Sequence, residues 1–193
     1  MTKKEILKIF KDKGAVQEGH FLLTSGLHST MYVQSAIVLQ YPRIARKICN
    51  ELARRFSNRK IDVVVSPAVG GIIVGHEVAR FFNARAVYTE REKGRMQIRR
   101  GFHINRGERV LLVENVVTTG SSISEVVGLV KEQGGILVGV GALVNRAKRR
   151  LKFNGKGMKS LIDLQIPNFI AGECPLCKKN IPYEEQGSRW IKK

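Results

Sequence analysis

Apolar residues in this chain recur in two patterns. In "PRIARKICNELARRF", Ile44, Ile48, Leu52 and Phe56 fall four residues apart, on one helical face, and Pro42 stands where a first helical turn tolerates it. Similar spacing predicts helices over residues 3–13, 71–82 and 122–133 as well as 42–56. The second pattern is the short unbroken apolar run: "IDVVVS" at 61–66, "RVLLVE" at 109–114, "ILVGVGALVN" at 136–145, with further runs at 84–88 and, weaker, 161–166. These runs lack polar alternation, as strands covered on both faces of a parallel sheet do. Strands alternating with helices predict a doubly wound α/β core at 41–166. Residues 20–39 read instead as two strands around the turn Ser25-Gly26-Leu27-His28, a small hood lobe within 1–40. From 167 onward the chain reads as an irregular extension carrying Cys174, Cys177 and Trp190.

Composition narrows the class. The 193 residues are 43% hydrophobic and 26% charged, the balance of a globular domain. No eighteen-residue apolar run predicts a membrane span, and "MTKKEILKIFKDKG" lacks the apolar centre of a secretory signal, so a cytoplasmic location is expected. The net charge of +18 points to polyanionic partners, phosphorylated small molecules or nucleic acid. The basic residues are spread along the chain and form no nucleic-acid-binding motif, so nucleic acid is not the expected partner; abundant surface charge can also reflect thermal adaptation. Three cysteines, Cys49, Cys174 and Cys177, do not make a disulfide framework. "CPLC" is half of a zinc ribbon without a second Cys pair or neighbouring His, so it reads as a tight turn with free thiols, or as half of a site shared across a dimer axis.

Ligands of open α/β sheets bind beyond the carboxyl ends of the strands. Three segments leaving strand ends have unusual composition: "SPAVGG" at 66–71, "TEREKGRMQIRRGFH" at 89–103 and "ENVVTTGSS" at 114–122. In the last, Thr118, Thr119, Gly120, Ser121 and Ser122 can turn N–H groups and hydroxyls toward one point, and the following helix adds its positive end. That is a monophosphate cradle, with Glu114 and Asn115 close enough to meet sugar hydroxyls. The plainer alternative is a helix cap on Ser121 or Ser122 with Glu125 closing a capping box.

"VLLVENVVTTGSS" resembles the phosphoribosyl-diphosphate (PRPP) signature of type I phosphoribosyltransferases, departing at Asn115, where that family usually has Asp. Other segments are similar to the orotate phosphoribosyltransferases, in order and over nearly the full length: "HFLLTSGLHSTMYVQ", "SPAVGGIIVG", "EREKGRMQIRRGF", "LVNR" and "CPLCKKNIPYEEQGSR". Two lysines common in that family are replaced by Thr24 and Gly70.

The resemblance implies a type I phosphoribosyltransferase fold with an N-terminal hood and transfer of a phosphoribosyl group from PRPP to orotate. It implies PRPP contacts from Glu114, Asn115, Val116, Val117, Thr118, Thr119, Gly120, Ser121 and Ser122, and from Val69 and Gly70. Orotate would be met by Thr118, Arg146, Ser25 and Gly26. Glu114, Asn115, Arg91 and Lys93 would carry catalysis, the last two as diphosphate contacts in a mobile 89–103 loop hinged at Gly94 and Gly101; the plainer alternative for that segment is a solvated basic hairpin. Arg95, Arg99 and Arg100 add charge to that loop; His103 reads as structural, His20 and His76 as packing or surface residues, and His28 as a residue of the Ser-Gly turn near substrate. Mg²⁺ would travel on PRPP with no direct protein ligand, and the loop would be shared across a homodimer. Two rivals stand beside this reading: a phosphoribosyltransferase for another base, and a PRPP-binding regulator of the same fold acting on nucleic acid.

Overall fold

The computed structural model describes residues 1–23, 25–147 and 149–185; Thr24 and Trp190 lie outside them. The elements in chain order are α1 (Lys3–Asp12), β1 (Val16–Leu22), β2 (His28–Val33), α2 (Ala36–Leu39), α3 (Pro42–Arg54), β3 (Val63–Pro67), α4 (Gly71–Phe82), β4 (Arg85–Glu92), β5 (Arg95–Ile98), β6 (Arg109–Val117), α5 (Ser121–Glu132), β7 (Ile136–Asn145), β8 (Lys152–Phe153), β9 (Lys156–Gly157), β10 (Lys159–Asp163), β11 (Asn168–Phe169) and β12 (Glu184–Glu185). The main sheet has the order β10-β7-β6-β3-β4-β5 and is parallel except for β5, which returns antiparallel along β4.

The expected two-sided burial is present. On β3, Val64 enters one apolar cluster while Val63 and Val65 enter the other. The first cluster packs α1, α3 and α4 against the sheet through Ile6, Phe10, Ile48, Leu52 and Val74; the second packs α5 through Ile123, Val126 and Val130. Helix α4 approaches β3 closely because Gly71 and Gly75 present no side chain: a Cβ at either would press on Ser66. Among the described residues no helix is long and apolar enough to cross a membrane.

A second sheet, β11-β2-β1-β12, forms the hood. Its first strand starts at Val16, earlier than the pattern suggested, and residues 36–39 form the helical turn α2 rather than strand. His28 is the first residue of β2 and not part of the turn. The tail contributes β11 antiparallel to β2 and β12 parallel to β1, with 3₁₀ turns at Ala171–Glu173 and Cys177–Lys179 between them.

Two further boundaries move. β6 continues through the acid-amide pair to Val117, because Val116 and Val117 pair with Val144 and Asn145 of β7 and both valines pack into apolar clusters. β4 continues to Glu92 and folds back through Lys93-Gly94, both at positive φ, so much of 89–103 is an ordered hairpin rather than an open loop.

Candidate active site

With β6 extended, the free turn between strand and helix is only Thr118–Gly120. Gly120 is the N-cap of α5 at φ 83°, and a Cβ there would meet Leu151 and Phe153 at 3.0 Å. A glycine caps nothing with its side chain, and the first turn of α5 carries no acid. Thr119 Oγ1 accepts from the Ser121 N–H at 3.3 Å and lies 3.1 Å from Ser121 Oγ, which holds the hydroxyls on one side of the turn. The capping-box alternative is not realised: Glu125 pairs with Arg91 at 2.6 Å and accepts from the Met96 N–H. What remains is a hollow of about 50 Å³ lined by Glu114 and residues 116–123, at the positive end of a twelve-residue helix. The side chains of Val116 and Val117 are engaged in core packing, leaving their main chain to face it.

Glu114 stands at the back of this hollow, 8% exposed. Its Oε1 accepts the Asn115 N–H at 2.9 Å and lies against the first turn of α4, where a Cβ on Gly71 would come within 3.1 Å of it. Burial pushes its pKa up to about 8, only partly opposed by the Asn115 N–H. Asn115 donates from Nδ2 to the hydroxyl of Ser35, itself buried, at 2.6 Å. Gly70 packs directly on that amide: a Cβ at Gly70 would overlap Asn115 Nδ2. Two of the three departures from the family pattern are thus in contact. The Ala68–Val69 peptide beside them is cis, and Val69 is exposed.

Arg146 follows β7, its N–H bonded to the Val117 carbonyl at 2.7 Å, which fixes it beside Thr118. Its guanidinium is 4% exposed, and Nη2 reaches Ser29 Oγ at 3.1 Å, the Met31 carbonyl at 3.3 Å and Asn168 Oδ1 at 3.4 Å. Nε is buried without a partner, and among the described residues the hydrogen-bond partners of Arg146 are a hydroxyl, a carbonyl and an amide oxygen, with no ion pair to a carboxylate. Burial lowers its pKa, with Tyr32 opposing.

The other expected residues sit further out. Ser25 and Gly26 are exposed at the β1–β2 turn, linked to Arg146 through Ser29 on β2. Arg91 is bound by Glu125 and the Gly94 carbonyl, Arg99 by Glu92 and Arg100 by Glu90, so three of the loop cations are ion-paired within the hairpin or to α5. Lys93 stands exposed at the hairpin tip. Ser35 and Asn168 had no sequence signal, being ordinary polar residues that only the fold brings to Asn115 and Arg146; Ser29 lay within the segment that resembles the family's hood, without a role assigned to it.

The expectation that "CPLC" lacks histidine partners is overturned. His20 and His28, 154 and 149 residues from their cysteine neighbours, meet Cys174 and Cys177 in one cluster. Neither histidine is a surface residue or a turn residue facing substrate. A larger hollow of about 440 Å³, lined by Arg55, Arg149, Arg150 and Lys159, opens on the β10 edge; it contains none of the signature residues.

Comparison with known proteins agrees with this geometry. Residues 34–176 match the model of the phosphoribosyl transferase domain. The orotate phosphoribosyltransferase of Thermoanaerobacter sp. (strain X514) is 48% identical over 98% of this chain and 99% of its own. That of Caldicellulosiruptor saccharolyticus is 46% identical over the full length of both. Among solved structures, the orotate phosphoribosyltransferase of Aeropyrum pernix superposes with a TM-score of 0.68 at 24% identity, covering 83% of this chain and 94% of that one, a likeness of fold.

Proposed function

The chain belongs to the phosphoribosyltransferase domain family, among the orotate phosphoribosyltransferases, and from that premise we propose that it transfers the phosphoribosyl group of PRPP to orotate, giving orotidine 5′-monophosphate and pyrophosphate. This is a step of pyrimidine biosynthesis, and a cytoplasmic homodimer is the form in which it would act. The observation that carries the choice of base is Arg146. A buried guanidinium facing no carboxylate leaves its desolvation uncompensated, typically by several kcal/mol. An anionic planar substrate bearing a carboxylate would supply the missing partner beside Thr118.

The turn 118–122 would hold the 5′-phosphate with main-chain N–H groups and hydroxyls, needing no lysine. Glu114, whose carboxyl burial holds protonated near neutral pH, would accept hydrogen bonds from ribose hydroxyls, and once ionised its charge would favour the sugar carbon as it becomes cationic. Asn115 would accept through its amide oxygen while Nδ2 stays on Ser35. Val69 and Gly70 would offer main-chain groups to the diphosphate. Lys93 and Arg91 would approach it from the β4–β5 hairpin, which we place against the neighbouring subunit's site. The donors at the end of β6 are hard oxygens, with one carboxylate, and they suit Mg²⁺ held mostly by the diphosphate. So carried, the ion would supply neutralisation of the leaving group's charge.

The test is direct. Incubated with PRPP, Mg²⁺ and orotate, the protein should consume orotate, followed by its ultraviolet absorbance, and should leave adenine, hypoxanthine and uracil unchanged. Consumption of a purine instead would reassign the base; no consumption of any base with PRPP binding intact would leave a PRPP-binding regulator.

A further inference from the structure

Outside the site just described, one cluster of metal-ligating side chains stands among the described residues: His20, His28, Cys174 and Cys177, whose ligand atoms all lie within 4.8 Å of one another. We infer that these four residues bind one zinc ion per chain, in a closed Cys₂His₂ site that staples the C-terminal tail to the β1–β2 hairpin. This inference does not rest on the proposed reaction.

The backbone builds the site from both sides. Along β1 the register shifts between Glu18 and Phe21, so one extra residue is accommodated and His20 sits within the bulge. Bulges re-aim side chains in this way. His28 opens β2 on the opposite arm, one step from Ser29. From the tail, Cys-Pro-Leu-Cys folds into a knuckle: the Lys178 N–H reaches the Cys174 carbonyl at 3.1 Å and the Ile181 N–H reaches the Leu176 carbonyl at 3.0 Å. Two cysteines separated by two residues are the usual half of a structural zinc site; the hairpin supplies the other half.

Distances and chemistry agree with zinc. Cys174 Sγ is 3.4 Å and Cys177 Sγ 3.6 Å from His20 Nε2, and Cys177 Sγ is 3.4 Å from His28 Nδ1. A tetrahedral ion with Zn–S of about 2.3 Å and Zn–N of about 2.0–2.1 Å sets S···N edges near ~3.5 Å. The two imidazole nitrogens, 2.6 Å apart, need to open by roughly 0.7 Å to span the corresponding N···N edge. His20 is already oriented: its Nδ1 lies 2.7 Å from the Ile181 carbonyl, so the N–H donates there and the Nε2 lone pair faces the cluster. Such an outer hydrogen bond is how ligating histidines are held in one tautomer.

Two thiolates and two neutral imidazoles around Zn²⁺ sum to zero charge, so the group can be buried without an unpaired ion. That suits its surroundings: both histidines are 4% exposed and Cys174 is fully buried. Thiolate and imidazole ligands without a carboxylate disfavour Mg²⁺ and Ca²⁺. Binding releases the two thiol protons to solvent. With all four positions taken by protein, no place is left for water or substrate, and the ion is structural.

The experiment uses untagged full-length protein, purified under reducing conditions and exposed to equimolar zinc before gel filtration. Elemental analysis should find about one zinc per chain. Replacement by Co²⁺ should give intense visible bands of a tetrahedral ion together with thiolate-to-cobalt charge transfer. Cys177→Ser, at the less buried cysteine, should lose most of the metal. Because a cysteine variant can fail to fold, the cobalt spectrum of the unaltered protein is the deciding measurement. Absence of stoichiometric zinc or a cobalt spectrum without thiolate bands would each overturn the assignment.

Discussion

At the scale of single residues, Glu114 sets stability against chemistry. Its carboxyl has a pKa of about 8 in the fold against 4.5 for the free group, because burial disfavours the charge. Between those values the folded protein holds a proton that the unfolded chain has lost, so this residue's contribution to stability declines as pH rises through the window. Glu114→Gln removes the titration. Relative to the parent, the variant should gain melting temperature from pH 5 to pH 8.5, by at least ~3 °C, while losing about a hundredfold in kcat. Thermal melts at both pH values with one steady-state assay check both arms; a gap that does not widen with pH would mean Glu114 is not buried as described. Asn115 is the neighbouring case. The family's usual Asp and Lys are both replaced here, by Asn115 and Gly70, and the two substitutes touch. Removing one anion and one cation at contact leaves the local charge balance unchanged. Asn115→Asp restores the anion alone, and the Ser35 hydroxyl can rotate to donate to it. Turnover should hold or rise, by no more than ~10-fold; a fall of that size or more would show that donation from Nδ2 to Ser35 is needed.

Among the elements, the β4–β5 hairpin separates two kinds of cation. Arg91 lies across α5, tied to Glu125, whereas Lys93 occupies the exposed tip at φ 46° and joins no ion pair among the described residues. Arg91→Ala should cost up to about 1 kcal/mol of stability, as surface pairs do, with a modest loss of rate. Lys93→Ala should leave the melting temperature unchanged and lower kcat by about 10- to 100-fold. Equal effects on kcat would mean that Arg91 leaves Glu125 and meets the diphosphate as closely as Lys93 does. The hairpin also shows where pattern reading stops. α4 and β7 occupy the residues their periodicity indicated, since burial dictates those positions one by one. The hairpin stood only as the alternative to a mobile lid, because its pairing satisfies main-chain groups and its side chains carry charge, a composition shared with open loops. The turn at 118–122, proposed as the phosphate cradle, stood out because small hydroxylated residues between an apolar strand and a helix have few other uses. The Cys₂His₂ cluster was not, because its halves lie some 150 residues apart and only the hairpin and the tail, meeting in one sheet, bring them together.

For the molecule as a whole, the surface proposed to recognise the base is a seam. Arg146 belongs to the main sheet, but the oxygens that hold it come from the hood: Ser29 and Met31 on β2, Asn168 on β11. Those two strands pair with each other at Ser29–Asn168 and His28–Phe169, so the same short ladder carries one proposed zinc ligand and the support of the guanidinium. The phosphate turn, by contrast, connects β6 to α5, and the described residues lining its hollow all belong to those two elements and the turn between them. An ion that fixes His28 therefore fixes the orotate side of the site and leaves the PRPP side to the core. Removing zinc with a chelator should raise the KM for orotate by about 10-fold, equivalent to ~1.4 kcal/mol of lost positioning, and leave the KM for PRPP within roughly twofold. Restoring zinc should reverse the change. Steady-state titration of each substrate on stripped and refilled protein separates the outcomes: equal loss for both substrates would mean that the metal supports the whole fold, and no loss for either would mean that the β2–β11 ladder holds Arg146 without it.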